Sequence, residues 1–114
     1  MASENKIIDE FNKLNSQLSK LDFPLFSSKT KRENIIIETR NEVDNKIIEI
    51  VKLYCPQIKI SEEQLQKLWE KTKKSVKREF DHLPDKLKIN AFYFQELMCK
   101  YVEIVFEEII KDNV

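Results

Sequence analysis

Glycine is absent from this 114-residue chain, and proline occurs only three times, at Pro24, Pro56 and Pro84. Without glycine, the tight turns of short β-hairpins and the left-handed caps of helices fall to Asn, Asp or Lys, which argues against a β-rich fold. The same absence removes the phosphate-binding P-loop, the dinucleotide fingerprint and the nucleophile elbow, each of which needs glycine for close backbone approach. Cysteine is scarce as well. Cys55 and Cys99 lie far apart with no CxxC spacing, and read as reduced, intracellular, mostly buried thiols rather than as a disulfide or a metal site. No apolar run approaches the length of a membrane span, and Met1 to Glu10 lacks the hydrophobic stretch of a signal peptide. Excess charge of one sign is missing too. Twenty basic and twenty acidic residues cancel, so a basic field over the whole surface is excluded while a local one is not.

What remains is 41% hydrophobic and 35% charged residues, a mixture that suits amphipathic helices and not a disordered chain. Apolar periodicity marks four helices in one domain over residues 1–114. The first runs from about Ser3 to Leu21 on Ile7, Ile8, Phe11, Leu14, Leu18 and Leu21, and Asp22-Phe23-Pro24 ends it. Phe23, Leu25 and Phe26 in the following loop are expected to fold back as core plugs. The second helix covers Lys31 to Tyr54, with Ile36, Val43, Ile47, Ile50, Val51 and Tyr54 on one stripe. Ile35, Ile37 and Ile48 fall off that stripe, which predicts burial on more than one side.

After Cys55-Pro56, Ser61-Glu62-Glu63-Gln64 reads as a capping box that opens a third helix running to Phe80. A turn at His82-Leu83-Pro84-Asp85 leads to a fourth helix from about Asn90 to Lys111. His82 is the lone histidine and has no partners at ligand spacing, and Glu62/Glu63 and Glu107/Glu108 are adjacent pairs that cannot converge on one helix face. All five are expected on the solvated surface. Nothing in the sequence supplies a catalytic constellation, a metal site or a cofactor site, so the chain is expected to act by binding rather than as an enzyme.

Two helices carry the functional signal. In the third, Leu65, Leu68, Trp69, Thr72, Val76 and Phe80 form an apolar stripe, while Lys67, Lys71, Lys74 and Arg78 stack on the opposite side with Lys73 and Lys77 flanking them. Gln64 to Asn90 holds eight basic and four acidic residues, and Ala91 to Val114 two basic and five acidic. Neutrality overall therefore conceals a division of charge. A helix of this kind can lay its apolar side on the domain and offer its basic side to a phosphate backbone; a solvated lysine face is the plain alternative. In the fourth helix Phe94, Leu97, Met98, Tyr101, Val102, Val105 and Ile109 make one face, and Tyr93, Ile104, Phe106 and Ile110 fall outside it. Either neighbouring helices cover these four, or a partner subunit or a second copy of the chain docks on them.

From Ile60-Ser61-Glu62-Glu63-Gln64-Leu65 through Trp69 to Lys77-Arg78-Glu79, the third helix resembles the recognition helix of homeodomains. Myb/SANT-like domains, with a similar tryptophan followed by lysines, match almost equally well. The resemblance implies that Leu68 and Trp69 fill the two aromatic core positions, that Lys67, Glu70, Lys71 and Lys74 face the major groove, and that Lys73 and Lys77 meet phosphates. It also shows departures. Lys71 stands where the family reads adenine with asparagine, Thr72 stands where an arginine comes next, the turn Tyr54 to Ile60 is longer, and no arginine-rich arm lies ahead of the first helix. Phosphate contact is thus expected in place of base reading.

In size and composition the chain is similar to the small homeobox-like accessory subunits of ciliate DNA N6-adenine methyltransferase complexes. That similarity implies a non-catalytic, nuclear accessory subunit. It would bind double-stranded DNA weakly and non-specifically, alongside other protein subunits and without a membrane. The other reading is a helical scaffold that binds only proteins.

Overall fold

Each of the three longer-range helix starts, at Ser28, Ser61 and Asn90, has a side chain that caps it. The structure, a computed structural model, describes residues 2–84 and 88–113. Helix α1 spans Ala2–Leu18, α2 Lys29–Tyr54, α3 Glu62–Phe80 and α4 Ala91–Val105; the chain then continues as a π-helical stretch, Phe106–Ile110, and a short 3₁₀ helix, Lys111–Asn113. No strand occurs among the described residues, so the fold is all-α. Ser28 caps α2 by accepting the Lys31 amide at 3.1 Å. Ser61 accepts the Gln64 amide at 3.1 Å while Gln64 Oε1 accepts the Ser61 amide at 2.9 Å, which completes the expected capping box. Asn90 caps α4 through the Tyr93 amide at 2.8 Å. Helix α2 stops at Cys55, ahead of Pro56. The turn after α3 contains His82, Leu83 and Pro84; Asp85, expected to complete it, lies outside the described residues.

Helix α4 is the centre of the bundle, with α1, α2 and α3 all packed on it and α3 most extensively. The long axis of 46 Å reflects α2, whose 26 residues rise about 39 Å. Buried side chains from all four helices, among them Ile7 and Phe11, Ile47, Trp69 and Val76, and Phe94 and Tyr101, make one continuous core. Phe23 closes one end of it, stacked on Phe94 with ring centroids 4.5 Å apart.

Several expectations give way here. Phe23 is a core plug, but Leu25 is 87% exposed and Phe26 100% exposed. Phe26 also takes the left-handed conformation (φ 61°) that a glycine-free chain is expected to give to Asn, Asp or Lys. The short connection from α1 to α2 turns sharply there, and no glycine is available to do it. Ile35 and Ile48 are half-buried beside the core while Ile37 is exposed, so α2 has a wide buried face and an open back. Helix α3 packs mainly on α4.

Candidate nucleic-acid interface

The apolar stripe of α3 settles which way its lysines point. Leu65, Trp69, Thr72, Val76 and Phe80 are buried, and the residues half a turn away must then face solvent. Thr72 tolerates burial because its hydroxyl donates to the Leu68 carbonyl at 2.7 Å. Trp69 meets the Tyr101 ring edge-on, with centroids 5.1 Å apart. Arg40 of α2 braces the same place. Its guanidinium sits 5.5 Å from the Trp69 centroid and 5.7 Å from that of Tyr101, and its Nη1 donates to Gln66 Oε1 at 2.7 Å.

Behind this brace lies a small polar network that periodicity did not reveal. Tyr101 donates its hydroxyl to Asp44, and Arg40 Nε lies 2.8 Å from Asp44 Oδ2. The Nε makes no hydrogen bond even so, and the two groups are held by charge more than by a directed bond. Burial pushes the Asp44 carboxyl above its ordinary range, against the Tyr101 hydrogen bond and Arg40, which pull it down. Burial and Asp44 together push the Tyr101 phenol well above its usual value, so it remains a donor. The Arg40/Asp44 spacing of four on α2, next to the Val43/Ile47 stripe, is the signal from which this network was readable. An open cleft of about 590 Å³ runs beside it, with Glu62, Glu63 and Asn45 in its wall. Its carboxylates make it a poor seat for an anion.

On the outer side, Lys67, Lys71, Lys74, Lys77 and Arg78 are exposed and Lys73 is half-buried. Two of the six are engaged. Lys71 pairs with Glu108, and Lys73 lies 3.1 Å from Glu70 Oε1 with its Nζ 6.0 Å from the Trp69 centroid. Such exposed pairs contribute at most about 1 kcal/mol to the fold. Lys67, Lys74, Lys77 and Arg78 have no ion-pair partner among the described residues. From Lys67 to Arg78 the row is about 16 Å long. That exceeds the roughly 12 Å width of a DNA major groove, so its ends can reach phosphates on both walls.

The four residues expected to meet a protein partner are placed differently. Ile104 and Ile110 are buried, Tyr93 is half-covered by the Phe80 ring edge-on at 5.2 Å, and Phe106 by that of Phe11 at 5.3 Å. The central position of α4 explains Ile104, Tyr93 and Phe106. Ile110 has a second cause: the wider π turn carries one extra residue and rotates the end of the helix, so that Ile109 and Ile110 are both buried. The large apolar side chains that do stand exposed are Ile8, Leu25, Phe26, Ile37, Leu53 and Phe92. Cys55 is buried and Cys99 half-buried, and neither forms a disulfide among the described residues. His82, Glu62, Glu63, Glu107 and Glu108 are exposed. No helix among the described residues is long and apolar enough to cross a membrane. Compared with family models, curated proteins and solved structures, the chain has no significant match.

Proposed function

We propose that this chain is a non-catalytic accessory subunit that holds double-stranded DNA by its phosphates through the outer face of α3. The observation that supports this reading most is the exposed set Lys67, Lys74, Lys77 and Arg78, left without carboxylate partners among the described residues in a chain of zero net charge. Arginine and lysine on one rigid, well-anchored helix suit counterion-releasing contact with a polyanion. Lys71, tied to Glu108, and Lys73, tied to Glu70, contribute less than their positions in the row imply. On the resemblance to accessory subunits of DNA N6-adenine methyltransferase complexes, S-adenosylmethionine and the methyl transfer would belong to a partner chain in the nucleus.

A helical scaffold that binds only proteins is the second reading, favoured by the exposed Leu25, Phe26, Ile37 and Leu53. Fluorescence anisotropy with a short blunt duplex at low salt separates the two. Wild type is expected to bind weakly, and the variant Lys67→Glu/Lys74→Glu/Arg78→Glu to lose binding while its helical circular dichroism is unchanged. Equal binding by wild type and variant overturns the duplex reading and leaves the scaffold.

A further inference from the structure

The turn between α1 and α2 presents Leu25 and Phe26, the two most exposed large apolar side chains among the described residues. The Ser27 amide donates to the Pro24 carbonyl at 3.3 Å, which closes a turn with Leu25 and Phe26 at its two central positions. Phe26 takes the left-handed backbone (φ 61°) that such a turn ordinarily gives to glycine or asparagine. An aromatic side chain gains nothing from this conformation, and its ring touches nothing that would offset it. A strained residue at a fully exposed tip is the kind of feature that persists for a contact outside the chain.

The tip is held at both flanks. On one side Phe23 is stacked on Phe94 at 4.5 Å, under the Arg32 guanidinium at 5.0 Å. On the other, Arg32 Nε donates to Ser27 Oγ at 2.8 Å and Nη1 to the Ile89 carbonyl at 2.7 Å. Only two side chains therefore project, from fixed backbone, and little ordering is left to do when they bind.

Their surroundings in the chain are basic, with Lys20 before the tip and Lys29 and Lys31 after it, all exposed. Lys29 also lines one cleft with Lys77 of α3, and three residues of chain, at most about 11 Å, separate it from Phe26. The tip thus stands at the end of α3 that carries Lys77 and Arg78. An apolar pair rimmed by cations fits a ligand with a charged outside and an apolar inside. Phe and Leu are among the side chains that proteins drive between base pairs, with lysine and arginine on the phosphates around them.

We propose that Leu25 and Phe26 form a wedge that parts two base pairs of the duplex held along α3 and kinks it there. This rests on the nucleic-acid reading of α3 and adds easily unstacked duplex as its preferred ligand.

The test uses the full chain and two duplexes that differ only in one central mismatch, with anisotropy for affinity and energy transfer between end-attached dyes for the kink. Wild type is expected to bind the mismatched duplex about tenfold more tightly, because part of the unstacking is already done there, and to bring its ends closer. Phe26→Asn should erase both effects although the turn accepts Asn more readily, so that a stable fold accompanies the loss. Its salt slope on the matched duplex should not change, since no phosphate contact is removed. Leu25→Ser, at a second exposed side chain, should reduce both effects. Equal binding of the two duplexes by wild type, or an undiminished preference in Phe26→Asn, overturns the wedge alone and returns the tip to a protein partner. Phe26-dependent binding to phosphatidylserine vesicles without a mismatch preference assigns the tip to a lipid surface and overturns it too. A Phe26-dependent mismatch preference with matched-duplex binding unchanged in Lys67→Glu/Lys74→Glu/Arg78→Glu supports the wedge and overturns the reading of α3. Binding to neither duplex overturns both.

Discussion

Trp69→Ala tests whether α3 is anchored as described. The indole is 6% exposed, meets Tyr101 edge-on at 5.1 Å, and is covered by Arg40 on one side and approached by Lys73 on another. Truncating a buried tryptophan leaves a cavity and costs about 3–5 kcal/mol, against the roughly 5–15 kcal/mol that a domain of this size has in total. An unfolding entropy of about 2.1 cal/mol/K per residue converts each kcal/mol into about 4 °C of Tm for this length. The expected fall is therefore about 12–20 °C, read by circular dichroism on heating and checked by urea denaturation with an unchanged slope. Trp69→Phe should fall by less, because a ring remains against Tyr101. A Tm for Trp69→Ala within about 4 °C of wild type, less than 1 kcal/mol, would mean that the indole is not a core anchor. The outward direction of the lysines would then lose its basis.

Asp44→Asn checks the network behind that anchor. A carboxyl whose folded pKa is raised stabilises the fold below its unfolded pKa, and that contribution fades as pH rises through the folded value. The Asn variant mimics the protonated form, so its Tm should gain on wild type from acid to neutral pH; a gap that is flat or of opposite sign refutes this. Cys99 donates to the Asn15 carbonyl at 3.6 Å, and burial, then Glu96 and Glu103, raise its thiol pKa. Iodoacetamide should label Cys99 much more slowly in the native protein than in urea at mildly alkaline pH, and equal rates by peptide mapping would contradict the placement. Phe26→Asn removes a fully exposed ring from a left-handed position that Asn adopts more readily. Tm should rise by a few degrees, whereas a drop would show that the ring contributes to the fold.

Four helices, their stripes and the Ser61–Gln64 box were legible in the sequence because each is a local pattern repeated over several turns. The basic face of α3 was legible for the same reason. What covers a residue depends on neighbours that periodicity does not name. Phe26 looks like a core plug by composition, yet its exposure is set by the turn into α2. Ile110 looks outward on a 3.6-residue repeat, and the π turn at Phe106–Ile110 rotates it inward. The cleft around Lys29, Lys77 and Lys88 was hidden because its lysines come from separate elements. The pairing of Lys71 with Glu108 was hidden likewise, since α3 packing along α4 is a matter of tertiary arrangement.

Salt dependence tests the central claim most directly, because a chain of zero net charge has no whole-protein field to imitate a site. Anisotropy titrations of the blunt duplex at several salt concentrations give the slope of log K against log salt. Lys67, Lys74, Lys77 and Arg78 on α3 predict a slope of about −3 to −4, at about −0.9 per phosphate contact, nearly flattened in Lys67→Glu/Lys74→Glu/Arg78→Glu. A wild-type slope near zero, or one that the variant leaves unchanged, would contradict a phosphate-binding role for this helix.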